Sequence, residues 1–300
     1  MDKPNILISA CLNQEKVRYN GLNIQSPHIE KMRNYVNFIN ICPEVEIGLG
    51  IPREESKLLK ENDKFYFIYT KDNKDYTQQI EDVFFKVKDK IFFGVVLKSK
   101  SPSCGINSAN YYKDRDFKNP IGKTNGIFAN KLLQEFPYIP FIDDGRLNDE
   151  ILNYEFWTKV FCYYEFYKIK GIEDLINFHS NYKFLFYSFS LKWAKNLGII
   201  IGNHKKDFNK TLKDYNNEFI KLSKLRYKIT LDINVMFHLF GYFSNKINYK
   251  EKQYFLTLID KFRHRKINRK VLIELFRIYC LRFENPYLLR QKYFNPFPEY

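Results

Sequence analysis

Up to about residue 150 this chain alternates short apolar runs with stretches of helical spacing; beyond that point only helical spacing remains. That change of texture constrains the fold more than any other feature. Residues 5–9, 36–41, 64–69 and 91–97 read as strands, with helical stretches near 27–31 and 77–90, the latter capped by Asp75 or Thr77. Residues 139–142 read as a final edge strand, where Pro140 is tolerated. Strands alternating with helices imply an α/β fold with a mostly parallel sheet. Apolar and aromatic residues then recur at helical spacing through 154–167, 172–197, 212–225, 234–243, 254–262 and 271–281, with no proline between residue 151 and Pro286. The expected organisation is an α/β domain over 1–150 and an all-α domain over 151–300, joined by a helix around 155–168. Three hundred residues suit two cores better than one.

A hydrophobic fraction of 45% with 28% charged residues reads as globular. No run of ~20 apolar residues is present, so no membrane partner is expected. The first nine residues are too short and too polar for a secretory signal, which points to the cytoplasm. The net charge of +15 is unevenly placed: residues 1–150 hold 22 Lys and Arg against 21 Asp and Glu, and residues 151–300 hold 27 against 13. Compositional drift would load both halves alike, so the second half reads as a polyanion-binding surface, the alternative being a merely solvated one. Within it, 221–228 and 261–266 interleave cations with aromatics, which suits phosphate contact and base stacking. No obligate protein partner is evident.

The five cysteines are an odd number without an export signal, so metal or redox chemistry is a better expectation than a disulfide scaffold. Cys11 follows directly on the first predicted strand, Cys42 on the second, and Cys104 lies shortly beyond the strand ending at 97. Open α/β sheets bind ligands just past their carboxyl strand ends, so these three thiols can converge on one metal site. Cys162 and Cys280 sit among aromatics on helical stretches and read as buried structural thiols. Three soft donors favour zinc or an iron–sulfur cluster. A structural zinc wants a fourth ligand, and His28 is the only histidine of the first half. A cubane on three cysteines leaves one iron open for chemistry. Strand geometry alone leaves metal binding and coincidence both open.

The flanking residues narrow the choice. Cys11 precedes Arg18-Tyr19-Asn20-Gly21, Cys42 opens Cys-Pro-Glu-Val-Glu-Ile-Gly-Leu-Gly-Ile-Pro-Arg53, and Leu97-Lys-Ser-Lys-Ser-Pro-Ser-Cys-Gly105 completes the set, followed by Gly126-Ile-Phe-Ala129 and Asp143-Asp-Gly-Arg-Leu147. Together these resemble the TudS-like thiouracil desulfidase family. In the second half Phe178-His179, Lys183, Asn234-Val235, His238, Gly241-Tyr242 and Gln291-Lys-Tyr293 resemble the helical domain of YbgA-type fusion proteins. The resemblance implies a Rossmann-like α/β domain followed by an all-α domain. It further implies a [4Fe–4S] cluster on Cys11, Cys42 and Cys104 with one open iron, and a RudS-type activity that removes sulfur from tRNA 4-thiouridine. Two departures are visible: Asn13-Gln14 stand where relatives carry Leu-Gly, and Lys266-Ile-Asn-Arg-Lys-Val271 replaces a Pro-Leu-rich segment.

Glu44, two residues beyond Cys42, is the expected general acid/base; an ion pair with Arg53 is its competing role, and Glu46 the competing carboxylate. Ser101 and Ser103 are expected to hydrogen-bond substrate or a cluster sulfur, or else to cap the turn. Arg18 and Arg53 contact substrate phosphate or buttress loops; Lys98 attracts an anionic substrate or merely ends a strand. Gly105 is expected to let the backbone approach the cluster. The expected partner is tRNA or a thiolated nucleobase or nucleotide. The competing readings are a desulfidase of free thiouracil or thio-UMP, and a non-catalytic iron–sulfur protein that binds RNA or senses redox state.

Overall fold

The computed structural model describes residues 3–203, 207–298 and 300. They divide into two compact units that meet between Phe161 and Cys162.

The first unit holds two sheets. Strands β1 (Asn5–Ser9), β2 (Asn37–Ile41), β6 (Gly94–Leu97) and β9 (Phe141–Asp143) form a wholly parallel sheet in the order β2-β1-β6-β9. Ile6, Leu7 and Ile8 of β1 and Val95, Val96 and Leu97 of β6 are completely buried. A central parallel strand is covered on both faces, hence these unbroken apolar runs. The chain leaves β1 to one side for β2 and returns on the other as β6, which makes the gap beyond β1 and β6 the topological switch point.

The second sheet, in the order β5-β4-β3-β7-β8, is mixed. It comprises β3 (Ser56–Glu61), β4 (Lys64–Tyr69), β5 (Lys74–Asp75), β7 (Ala109–Tyr112) and β8 (Gly122–Thr124). The apolar run at 64–69 therefore pairs antiparallel with β3 instead of entering the parallel sheet. Asn62 and Asp63 turn that hairpin with φ of 45° and 60°, the left-handed pair a two-residue hairpin turn demands. β3 also runs parallel to β7. The short helices of this unit are α1 (Pro27–Met32), α2 (Pro43–Glu46), α3 (Thr77–Asp82) and α4 (Ile127–Glu135). The helix expected over 77–90 ends early, tightening into a 3-10 turn at Val83–Lys86.

One core joins the sheets: Leu7, Val95 and Leu97 of the first meet Leu58 and Phe67 of the second, with Phe128 and Leu132 of α4. A fully buried phenylalanine such as Phe128 contributes roughly 2–3 kcal/mol. Cys104 belongs to this core. The unit runs past the expected boundary at 150 because α5 (Glu150–Tyr167) begins by packing on the parallel sheet. A Cβ on Gly94 would lie 2.6 Å from Val160 Cγ2 and 3.1 Å from Phe156 Cζ, so only glycine admits the helix so close.

The second unit takes the end of α5 and then α6 (Ile172–Phe189), α7 (Leu191–Gly202), α8 (Phe208–Phe219), α9 (Ile229–Gly241), α10 (Tyr249–Arg263), α11 (Arg269–Arg282) and α12 (Pro286–Leu289). The stretch expected over 172–197 is two helices, because Ser190 leaves the helical conformation and its hydroxyl accepts from Trp193 N at 3.3 Å, capping α7. Tyr182, Tyr215, Phe219, Phe255 and Phe276 are completely buried, as are Cys162 and Cys280. Among the described residues no helix is long and apolar enough to cross a membrane.

Candidate metal centre

The carboxyl ends of the parallel strands deliver the cysteines. β1 runs into a 3-10 turn, Ala10–Leu12, that carries Cys11; β2 runs into Cys42, which stands at the N-cap of α2; β6 runs into the loop that carries Cys104. Ser9 Oγ accepts from Lys98 N at 3.0 Å and so ties the ends of β1 and β6 together. The start of α4 fixes the Cys104 loop: Gly126 N, Ile127 N and Ala129 N donate to Gly105 O, Pro102 O and Ser103 O at 2.7, 3.0 and 3.0 Å. These are amides that a helix start leaves unpaired, used here to hold a loop. A Cβ on Gly126 would fall 2.5 Å from Ser103 C, so no other residue allows this approach. At Gly105 the missing side chain leaves room for Ser101 O and Ala109 N, which a Cβ would meet at 2.9 and 3.0 Å.

Cys11, Cys42 and Cys104 line one cavity of about 320 Å³, together with Glu44, Ser101, Ser103, Arg18, Arg53 and Lys98. These nine residues, all singled out from the sequence, thus line one cavity. Glu44 is bound on both oxygens: Ser103 Oγ donates to Oε1 at 2.8 Å and Arg53 Nε to Oε2 at 2.9 Å. Ser101 and Ser103 hydroxyls lie 2.9 Å apart, and Ser101 Oγ also accepts from Cys104 N at 3.1 Å. A hydrogen-bonded chain therefore runs Ser101–Ser103–Glu44, and its middle hydroxyl, Ser103 Oγ, lies 3.7 Å from Cys104 Sγ. Glu46 is absent from the cavity lining and pairs with Lys86 instead.

Arg53 and Lys98 are already engaged. Arg53 donates through Nη1 to Val17 O at 3.0 Å and Gly50 O at 3.1 Å, and its side chain is 3% exposed. Lys98 Nζ donates to Asp144 Oδ2 at 2.9 Å and to Ser99 O and Oγ at 3.0 Å each. Both buttress the rim. Sequence reasoning missed the wall that the second sheet supplies, with Ser56, Lys57, Asn110 and Tyr112. The Asn62-Asp63 turn was the signal for it. His28 lies outside the cavity and faces Asn153, Nδ1 to Nδ2 3.1 Å.

Burial pushes the Cys11 and Cys104 thiols up to about 12 and raises Cys42 as well; Cys42 adds to the rise at both of the others. The three are close enough to oppose one another's ionisation. Among the described residues no group of three His, Cys, Asp or Glu is arranged to hold a metal ion. The donor set fits an iron–sulfur group by its chemistry: three soft sulfurs in one cavity, unable to ionise together until positive charge is brought among them.

Fold and cavity together define an α/β protein with a cysteine-lined site at its switch point, carrying an all-helical second unit. Residues 6–144 match the family model described as 2-thiouracil desulfurase, and residues 183–298 match DUF1722, a protein family of unknown function. The uncharacterized protein YbbK of Bacillus subtilis is 30% identical over 153 residues, covering 48% of this chain and 98% of the relative. The uncharacterized protein YbgA of Escherichia coli is 28% identical over 154 residues, covering 47% of this chain and 86% of the relative. Among solved structures, a [4Fe-4S]-dependent thiouracil desulfidase, TudS, covers 51% of this chain and 98% of its own, at 23% identity and a TM-score of 0.39. The chain belongs to the 2-thiouracil desulfurase family, joined to a DUF1722 segment.

Proposed function

We propose that the chain is an iron–sulfur-dependent desulfidase that removes sulfur from a thiolated uracil base, 4-thiouridine in tRNA above all, releasing uridine and sulfide. The observation that carries this reading is the convergence of Cys11, Cys42 and Cys104 on one cavity with the Ser101–Ser103–Glu44 chain. The reaction exchanges a C=S sulfur for the oxygen of water, so it moves protons and no net electrons.

Cys11, Cys42 and Cys104 would hold the cluster, and when bound it supplies a sulfur-seeking Lewis acid. Glu44 takes a proton from the attacking water and returns it to the departing sulfur, with Ser103 and Ser101 carrying the proton along the loop. Arg53 keeps the Glu44 carboxylate aimed at Ser103. The basic second half, with 27 cations against 13 acids, supports RNA as the carrier of the base, since phosphate contacts dominate RNA affinity. A base within folded RNA would leave its stack to reach the cavity. The smaller-substrate reading keeps one supporting fact: every cavity residue falls between Ser9 and Tyr112, inside the matched desulfurase segment.

The test is anaerobic purification with cluster reconstitution, then incubation with 4-thiouridine-containing tRNA and assay for uridine and sulfide. Turnover that needs the cluster supports the reading; an intact cluster with no turnover on tRNA, thio-UMP or thiouracil overturns it. Replacing Cys11, Cys42 or Cys104 singly by Ala is expected to abolish the cluster absorbance, and Cys162→Ala or Cys280→Ala to leave it.

A further inference from the structure

The positive charge of the helical unit is not evenly spread. From Lys261 to Lys270 six of ten residues are Lys or Arg, and between Glu251 and Glu274 the only acid is Asp260. This stretch is the end of α10, the turn after it and the start of α11. Arg269 points inward and is bound to Asp232. Lys261, Arg263, Arg265, Lys266 and Lys270 are exposed, and none has a carboxylate partner among the described residues. Asp260 lies 3.4 Å from His264 Nδ1 instead. A merely solvated face mixes its signs, as α11 does farther along, where Arg277 and Arg282 meet Glu274 and Glu251.

Two of these cations stand where the turn itself would favour something else. α10 closes with a pair of reverse bonds: Lys266 N donates to Lys261 O at 2.8 Å and Arg265 N to Phe262 O at 2.9 Å. That closing motif places one residue in the left-handed region, and glycine is its usual occupant. Here the residue is Arg265, at φ +56°. Lys270 lies in the first turn of α11, which holds no acidic residue, at the helix end whose dipole disfavours cations. Neither choice helps the turn keep its shape; both add positive charge to one exposed place. Local rules broken without a structural gain point to function.

We propose that the α10–α11 turn is the surface on which the helical unit takes the phosphate backbone of RNA, its five exposed cations contacting phosphates without reading bases. This rests on RNA being the carrier of the thiolated base, and adds where that carrier is held. Guanidinium forks and ammonium point charges both suit phosphate oxygens, and such contacts give affinity that is independent of sequence. The rival occupant of a basic surface is an anionic membrane. Binding at a lipid interface wants exposed apolar side chains beside the cations. No large apolar side chain is exposed between Leu256 and Val271, so the turn offers charge without an anchor.

The experiment measures binding of an unmodified tRNA transcript to the full-length, cluster-loaded protein by filter retention, over salt from about 50 to 200 mM. Arg265→Gln with Lys266→Gln is expected to weaken binding roughly tenfold at the lower salt and to reduce the salt slope by about 2. Lys192→Gln with Lys195→Gln, which removes the same charge from exposed positions on α7, is expected to leave both near their original values. Arg265→Gly is expected to raise Tm while weakening RNA binding, because glycine suits the left-handed position and lacks the charge. RNA affinity unchanged in the turn variants overturns the proposal, as does an equal loss in the α7 variant. Vesicles of phosphatidylserine and phosphatidylcholine that retain the original protein and lose the turn variants, with RNA binding unaltered, move the surface to a membrane and also overturn it. Turnover of thiouracil and thio-UMP is scored separately, since small substrates have no need of the turn. Turnover with RNA binding indifferent to the turn sinks this surface alone; RNA binding that depends on the turn, with no turnover of any thiolated substrate, sinks the desulfidase reading alone.

Discussion

Among the described residues each unit has a buried arginine–carboxylate pair, and the two pairs stand in different surroundings. In the first unit Arg53 meets Glu44 at 2.9 Å, with the side chains 3% and 10% exposed. In the second, Arg269 meets Asp232 at 2.8 Å, at 8% and 0%. Asp232 also accepts from Tyr227 and from Tyr293 at 2.5 Å, and Arg269 donates on to Tyr293 O at 3.3 Å and to Tyr300. Together these groups lace α9 and α11 to Tyr293 and Tyr300. Glu44 borders a cavity and accepts a hydrogen bond from a serine that touches a thiol. The same chemical pair is a rivet where it is sealed and, in the proposed reaction, a proton carrier where one side lies open.

The largest effect should come from breaking the sealed pair. Asp232→Ala leaves Arg269 buried without its counter-charge, and removal of one partner from such a pair costs about 3–5 kcal/mol. Thermal unfolding followed by circular dichroism would read this as a steep fall in Tm. A Tm within a degree or two of the original would mean that the network is not structural.

Glu44→Gln tests the other side. Gln keeps an oxygen for Arg53 Nε, and Arg53 keeps Val17 O and Gly50 O, so the stability loss should stay near ~1–2 kcal/mol. The loss of desulfidation should be about 10²–10⁴-fold with the cluster absorbance retained, the range for removing a general acid/base. A variant that unfolds as readily as Asp232→Ala, yet keeps its activity per folded molecule, would erase the distinction between the pairs.

These contrasts also mark what the sequence could disclose. Cys11, Cys42 and Cys104 were legible because strand ends are legible: each follows a short apolar run, and the topology brings the ends of such runs together. Local patterning does not say which ends of long-range pairs find each other. Lys98 reads as a free cation until Asp144, far along the chain, is seen to take its ammonium. Glu44 and Glu46 sit on one four-residue helix, and only the packed fold turns the first inward and gives the second to Lys86. The second sheet escaped notice because β3 is bounded by charged residues and its hairpin turn is Asn-Asp rather than the glycine-bearing pairs that announce such turns. Its absence hid Lys57 and Tyr112 from the cavity.

The sealed character of the second unit can be sharpened through pH. His179 is held down to about 4, by burial first and then by the Lys183 charge, while its Nδ1 lies 3.0 Å from Tyr215 Oη. The unfolded chain takes up a proton below about pH 6.5 that the folded chain refuses until about pH 4. Stability from this site is therefore complete above pH 6.5 and lost as pH falls toward 4, by roughly 1–3 kcal/mol. Urea unfolding at pH 7 and pH 5 should show that loss in the unaltered protein and a smaller one in His179→Asn. Identical pH dependence in the two would remove His179 from the account.

The smallest expected effect divides the open network within itself. Ser103 donates directly to Glu44, whereas Ser101 reaches Glu44 only through Ser103 and also accepts the Cys104 amide. Ser103→Ala should therefore act mainly on rate, lowering kcat about tenfold, which corresponds to about 1.4 kcal/mol of barrier, with little change in Tm. Ser101→Ala should act on both, since it leaves the Cys104 amide unpaired at a cost of about 1 kcal/mol and cuts the relay one step farther from the carboxylate. Single-turnover rates and unfolding midpoints for the pair would separate them. If both serines lowered Tm alike and left the rate alone, they would be turn caps, and Glu44 would act on the cavity without a relay.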